Sequence, residues 1–271
     1  MHQLGVARLS ALAAILALAL VPPFAAPAAS GPVNVLYAGS LVTPMEGPIK
    51  AALRLRGIEL QGQAGGSKEL TNLILAGVRS PDDFISVDPK LVAKLGNRVA
   101  SQTVFAGTSL GVAWAPHSRF AHLFDNVLAR QTTLRLALER PGLKIGRTDP
   151  KLDPKGAYTL EGVTMWLGPN GERRLLGSDD NPAQIFPEED LLARLDTGEI
   201  DVGFFYKTEA LARGYRFIAL PGAAALTDRI SYTLAVMKAA PHPAAAHAFA
   251  EFILSGEGRT ILEQAGLTYR S

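Results

Sequence analysis

Short apolar runs of strand length alternate along this chain with stretches whose apolar positions recur every three or four residues. The run "VNVLYA", at 33–38, is apolar and β-branched and stops at Gly39-Ser40, which predicts a buried strand, a turn and a helix start. The order then repeats. "GIELQGQA" predicts a strand, Gly65-Gly66 a tight turn, and "SKELTNLILAG" a helix with Leu70, Leu73 and Ile74 on one face. "DFISV" precedes Asp88-Pro89, an N-cap residue followed by proline at the first helical position, and "KLVAKL" continues that helix. Three such units in succession predict a parallel sheet with helices packed on it.

The rhythm changes at "TVFAGTSLGVAWAP", a long extended stretch that reads as a crossover from one lobe to another. Beyond it, "LKIGRTDPKLDPKGAYTLEGVTMWL" predicts a strand, a proline-punctuated loop and a helix, and "NGERRLLGSDDN" a polar loop. "EEDLLARLDTGEIDVGFFY" predicts a helix ending near Gly198 and then a strand. "ISYTLAVMK" is a further strand, and "PAAAHAFAEFILS" and "GRTILEQAG" are helices. No solenoid-length repeat is present.

At 271 residues and 48% hydrophobic composition, the chain is near the size at which one core divides into two. A formal net charge of +2 with interspersed signs and no basic block leaves no electrostatic footprint for nucleic acid, while a small anion remains compatible. Residues 1–28 carry Arg8, the apolar run "LSALAAILALALV" and an Ala26-x-Ala28 site, the layout of a cleaved signal peptide. That run is short for a bilayer span, and Pro22 and Pro23 follow it at once. A periplasmic protein cleaved near Ala28 is therefore expected. With no cysteine, neither disulfides nor thiolate ligands contribute.

Ser40 and Ser67 each follow glycine at the carboxyl end of a predicted strand and precede a helix. Both would lie on the sheet edge where open α/β sheets bind ligands, and two helix starts facing one point make an anion socket. Serine is also a favoured N-cap, which accounts for either residue taken alone. Neither has the Gly-x-Ser-x-Gly elbow of a hydrolase, and His117, His122, His242 and His247 show no evident acidic partner or metal spacing. Asp149-Pro150 and Asp153-Pro154 specify a rigid loop by ordinary turn chemistry. The same loop could aim Asp153 into a cleft, with backbone N–H groups from Lys155 to Tyr158 as a donor nest. Glu188 and Glu189 fall in a first helical turn, where acids suit the dipole. Tyr206 ends a strand, as a core aromatic or with a hydroxyl needing a partner.

Taken in order, "YAGSL", "GGSKEL", "DPKLDPKGAY", "IDVGFFYKTEALARGYRFIALP" and "AAPHPAAAHAFAEFILSGEGRTILEQAG" resemble the periplasmic molybdate/tungstate-binding proteins of ABC importers, the ModA and WtpA-like branch. The resemblance runs over nearly the whole segment after the leader; its last motif is common to many solute-binding proteins. It implies a two-lobed α/β fold of the type II solute-binding class, each lobe a mainly parallel sheet with flanking helices, joined by two hinge crossings. Residues 31–108 with 231–271 would form the first lobe and 109–230 the second. The resemblance places hydroxyl contacts to an oxyanion on Ser40 and Ser67, backbone contacts around Lys155, and a further contact on Tyr206. It puts carboxylates beside a bound molybdenum or tungsten centre at Asp153 and Glu188, or Glu189 if the alignment slips by one. On this reading Ser40 caps a helix and holds the anion.

The family's "FARNSLV"-like segment reads "FAGTSLG" here, and Lys155 replaces a smaller residue, so its side chain, like that of Lys68, could bring positive charge to the site. The expectation is a monomeric binding protein, not an enzyme and without a cofactor, that delivers molybdate or tungstate to a membrane permease. Sulfate or a phosphonate-like organic anion on the same fold is the alternative, and a serine hydrolase a distant one.

Overall fold

The structure, a computed structural model, describes residues 31–151 and 153–270; the leader expected at 1–28 lies outside them. Strand β1, Gly31–Ala38, is buried over its second half and enters a tight turn at Gly39–Leu41. A short irregular helical stretch follows, with α1 at Val42–Pro44 and α2 at Lys50–Arg54. Next come β2, Ile58–Gly65, and α3, Ser67–Leu75, which turns Leu70 and Ile74 inward. Strand β3 is Asp83–Ser86, and α4 is Pro89–Ala93, capped as the sequence predicts, with Asp88 accepting from the Lys90 N–H at 2.9 Å. β4, Val99–Gly107, then leads across Thr108 and Ser109 into β5, Leu110–Trp114.

The second lobe continues with α5, Ala121–Leu128, α6, Leu134–Leu138, and the short β6, Ile145–Gly146. Helix α7, Pro154–Leu176, is followed by α8, Glu188–Asp196, β7, Val202–Tyr206, α9, Lys207–Ala212, and β8, Arg216–Ala219. The chain returns through β9, Ser231–Met237, and closes with α10, Pro243–Leu254, α11, Gly256–Gln264, and β10, Thr268–Tyr269.

The strands make two sheets, one ordered β10-β4-β9-β3-β1-β2 and one ordered β6-β7-β5-β8, the two-lobed α/β arrangement. Both are mixed, which corrects the expectation of mainly parallel lobes. β1 pairs in parallel with β2 and β3, but β9 is antiparallel to β3 and β4, and β5 is antiparallel to β7 and β8. The cause is the route of the chain. β4 carries it out to the second sheet and β9 brings it back, so neighbouring strands that serve the two crossings must run in opposite directions. Gly107 pairs with Ser231, and the Thr108 N–H donates to the Ile230 carbonyl at 3.3 Å, which ties the crossings together.

A second correction concerns residues 170–176, expected in a loop. They are helical, the last part of α7, beyond a break at Gly168 (φ 70°, ψ 169°). Gly168 takes a conformation that a side chain would resist, and Pro169 restarts the helix at a position where its missing N–H costs nothing. Buried Leu175 and Leu176 then hold that segment to the core. Among the described residues no helix is long and apolar enough to cross a membrane.

Candidate functional site

Four strand-to-helix junctions, two from each sheet, meet at the cleft between the lobes. β1 and its turn bring Ser40, β2 and α3 bring Ser67, the loop from β6 to α7 brings Asp153, and β7 with α9 brings Tyr206 and Glu209. All five residues line one cavity of about 10 Å³, room for a single oxygen-sized atom. It adjoins a cleft of about 690 Å³ that shares Ser40, Asp153 and Glu209 and extends past Phe186, Leu192 and Arg213.

Neither serine caps its helix. Ala38 is the cap of the turn that holds Ser40, and Gly66 is the cap of α3, with no side-chain capping bond at either. The serines sit inside the helical turns, so their hydroxyls are released for tertiary partners. Ser40 Oγ lies 2.9 Å from Tyr232 Oη, which lies 3.1 Å from Thr208 Oγ1, and Thr208 donates to Thr108 Oγ1 at 3.2 Å. A chain of hydroxyls thus runs from the cavity to the first crossing. Ser67 Oγ accepts from the Val87 N–H at 3.2 Å.

Across the cleft, Asp153 is the N-cap of α7; its Oδ1 accepts from the Lys155 N–H at 2.8 Å, and Pro154 occupies the first helical position. Gly156 is required here, because a Cβ would come within 2.5 Å of the Thr148 carbonyl oxygen as the helix start packs onto the 148–150 loop. The Lys155 ammonium does not reach toward the cavity as a lone positive charge. It is 1% exposed and donates to both Glu209 oxygens, at 2.9 and 3.0 Å. Glu209 Oε2 also accepts from the Tyr206 N–H at 3.1 Å. The Tyr206 hydroxyl is buried with no hydrogen-bond partner among the described residues, and burial, reinforced by the nearby charges of Asp153 and Glu209, pushes its pKa well above that of a free phenol. The phenol is therefore held protonated, as a hydrogen-bond donor.

Glu188 starts α8 directly after Pro187, which lines the cleft; the side chains of Glu188 and Glu189 lie outside the described residues. Lys68 donates to the Lys151 carbonyl at 2.8 Å, spanning the cleft mouth from α3 to the opposite loop. Sequence reading missed Glu209, Thr208 and Tyr232. Glu209 had a local signal, being an acid at the third helical position after the cap Tyr206, where a carboxylate folds back on the cap N–H. Tyr232 and Thr208 had none. The histidines were also misjudged in one case, since His242 Nδ1 lies 2.9 Å from Asp82 Oδ2, at the far end of the first sheet.

A family model for bacterial extracellular solute-binding proteins matches residues 33–268. A putative ABC transporter molybdenum-binding protein of Haloferax volcanii is 30% identical over 211 residues, an alignment covering 74% of this chain and 66% of the relative's length. The molybdate-binding protein ModA of Mycobacterium tuberculosis is 28% identical over 219 residues, covering 78% and 74%. In solved structures, the periplasmic molybdate-binding protein of Azotobacter vinelandii aligns with a TM-score of 0.70 at 20% identity, over 88% of this chain and all (100%) of that one. The sulfate-binding protein SubI of M. tuberculosis aligns at 0.67 and 15%, over 87% and 86%. At such identities the structures speak to the fold alone.

Proposed function

We propose, from the premise that the chain belongs to the bacterial extracellular solute-binding proteins, that it captures a tetrahedral oxyanion, molybdate or tungstate, between its lobes and presents it to the membrane permease of an ABC importer. The observation that carries the reading is that Ser40, Ser67 and Tyr206, from both sheets, line one small cavity, with the Tyr206 hydroxyl buried and unpartnered among the described residues. An acceptor with charge satisfies such donors better than water or a neutral group, because hydrogen bonds to an ionised acceptor are shorter and stronger. Binding from both sides stabilises the closed form by its differential affinity for that form, and the paired crossings at Thr108 and Ile230 supply the hinge. No bond is broken in this cycle, which takes place in the periplasm.

Asp153 beside a dianion is repulsive unless its carboxylate takes part in binding. Together with Glu188 it would add oxygen ligands to the bound metal centre and raise it from four to six, which molybdenum or tungsten allows and sulfur does not. The reading therefore carries discrimination against sulfate. Calorimetric titration of dialysed protein with molybdate, tungstate and sulfate tests it, with melting curves alongside. A hundredfold excess of ligand over its Kd should add about 2.7 kcal/mol of apparent stability. Binding of molybdate or tungstate with sulfate silent is expected; silence toward all three would overturn the oxyanion assignment and turn attention to an organic anion filling the wider cleft.

A further inference from the structure

We infer that Lys155 sets the ligand charge that the oxyanion subsite accepts, and does so through Glu209 rather than by touching the ligand. The inference rests on the oxyanion reading and deepens it. Two acids line the small cavity, Asp153, which on that reading ligates the bound centre, and Glu209, which has no such part and would repel an anion. Lys155 meets both. Its backbone N–H is bound by Asp153, and its ammonium is bound by both oxygens of Glu209. The ammonium also lies 5.2 and 5.8 Å from the ring centres of Phe205 and Tyr206, so it sits beneath the cavity wall and not in it.

The consequence is a count of charge. Apart from the Glu188 carboxylate proposed above, Asp153, Glu209 and Lys155 sum to one negative charge with the lysine in place and to two without it. The pair also has a geometric duty, since the Glu209 oxygen that takes the ammonium's second hydrogen bond accepts the N–H of Tyr206 as well, a residue that lines the cavity. Lys155 is thus a positioning residue. It converts a repulsive carboxylate into a neutral fixture that anchors the strand end carrying the donor hydroxyl.

The two halves of the pair should act in opposite directions on anion binding. This separates a charge role from a merely structural one, in which loss of either partner would weaken binding. The test is calorimetric titration of the full chain with tungstate and molybdate, with melting curves as the check of folding, for wild type, Lys155→Met, Glu209→Gln and the double variant. Lys155→Met is expected to weaken binding by roughly tenfold to a hundredfold, because it leaves a bare carboxylate against the anion. Glu209→Gln keeps an acceptor for the Tyr206 N–H and removes one negative charge from the cavity wall, so binding tightens about threefold or more. The double variant, isosteric and neutral, should return to within about threefold of wild type.

If Lys155→Met does not fold, the remaining two variants decide: tightening in Glu209→Gln with near-wild-type affinity in the double supports the inference. Weakening in Glu209→Gln, or a double variant no better than its weaker parent, overturns it while leaving the oxyanion reading intact. A wild-type protein silent to both anions overturns the oxyanion reading and this inference together.

Discussion

The two lobes contribute to the cavity in different chemical currencies. The first lobe offers neutral hydroxyls, Ser40 and Ser67, each engaged with a neutral partner, Tyr232 Oη and the Val87 N–H respectively. The second offers charges and a phenol whose pKa is raised by burial and then by the nearby carboxylates, Asp153, Lys155, Glu209 and Tyr206, packed at two helix starts and the strand end that leads into one of them. The first set can serve any oxyanion, because a hydroxyl donor does not register what lies at the centre of the tetrahedron. The second set can discriminate, because carboxylates reward a centre that accepts more ligands and penalise one that does not. Affinity should therefore be shared between the lobes while selectivity resides in the second.

The largest expected effect breaks the first half of that comparison. If both serines bind the anion as proposed, replacing Ser40 and Ser67 together by alanine would remove two hydrogen bonds to a charged acceptor, each worth about 1.5–3 kcal/mol, so affinity for molybdate, tungstate and any sulfate binding should fall together by roughly a thousandfold. The ratio between ligands should hardly move. Unequal losses among the three anions in calorimetry would place selectivity in the first lobe and defeat the comparison. Smaller in size and opposite in kind is Asp153→Asn combined with Glu188→Gln. Asparagine retains the N-cap of α7, so the helix start stays in place while the charge is removed. Tungstate affinity is expected to drop about tenfold, and its margin over sulfate should shrink by at least as much. An unchanged margin would refute the six-ligand proposal.

A weaker perturbation sharpens the link between the lobes. Tyr232→Phe deletes the middle of the hydroxyl chain that joins Ser40 to Thr208 and Thr108. One buried neutral hydrogen-bonded group is worth on the order of 1 kcal/mol, so a loss of about fivefold in affinity and a few degrees in Tm is expected. Anion binding that is untouched, with only Tm lowered, would show that the chain serves packing alone.

What could be read in the sequence was what local chemistry decides. Asp88-Pro89 announces a helix start because an acceptor before a proline satisfies the first free N–H groups within three residues, and it is found as a capped start; Asp153-Pro154, read as a turn in a rigid loop, is a second capped start of the same kind. The glycine breaks after β1 and β2 likewise placed Ser40 and Ser67 on one sheet edge. Their capping role was misassigned because the pattern does not distinguish a cap from a residue one or two places inside the turn. Features that depend on the chain folding back were hidden. The antiparallel β4–β9 pair joins residues far apart in sequence, and Tyr232 enters the site from β9 with no motif around it. Lys155 was noticed as a cation, yet its partner Glu209 lies on another helix, so the sequence showed a charge without its neutraliser.

The comparison extends to where each lobe keeps its buried acids. The second lobe sets Glu209 in the wall of the cavity; the first places Asp82 and Asp83 at the opposite end of its sheet, where β3 begins. Asp82 is well provided, accepting from the Asn34 and His242 N–H groups with His242 Nδ1 also in reach. Asp83 is fully buried with neither oxygen hydrogen-bonded among the described residues, and desolvation, aided by the charge of Asp82, raises its pKa to about 8. The native state therefore holds a proton that the unfolded chain releases near pH 3.8. Its contribution is fully present below that value and is progressively lost as pH rises to about 8. Asp83→Asn should flatten this slope and raise Tm at pH 7.5, by on the order of a few kcal/mol in stability, while leaving near pH 4 a protein no more stable than wild type. Oxyanion affinity should not change, because the residue lies at the end of the sheet away from the cleft. A Tm that falls at pH 7.5, or an altered tungstate Kd, would show that the buried acid of the first lobe is coupled to the site after all, and the division of labour between the lobes would have to be redrawn.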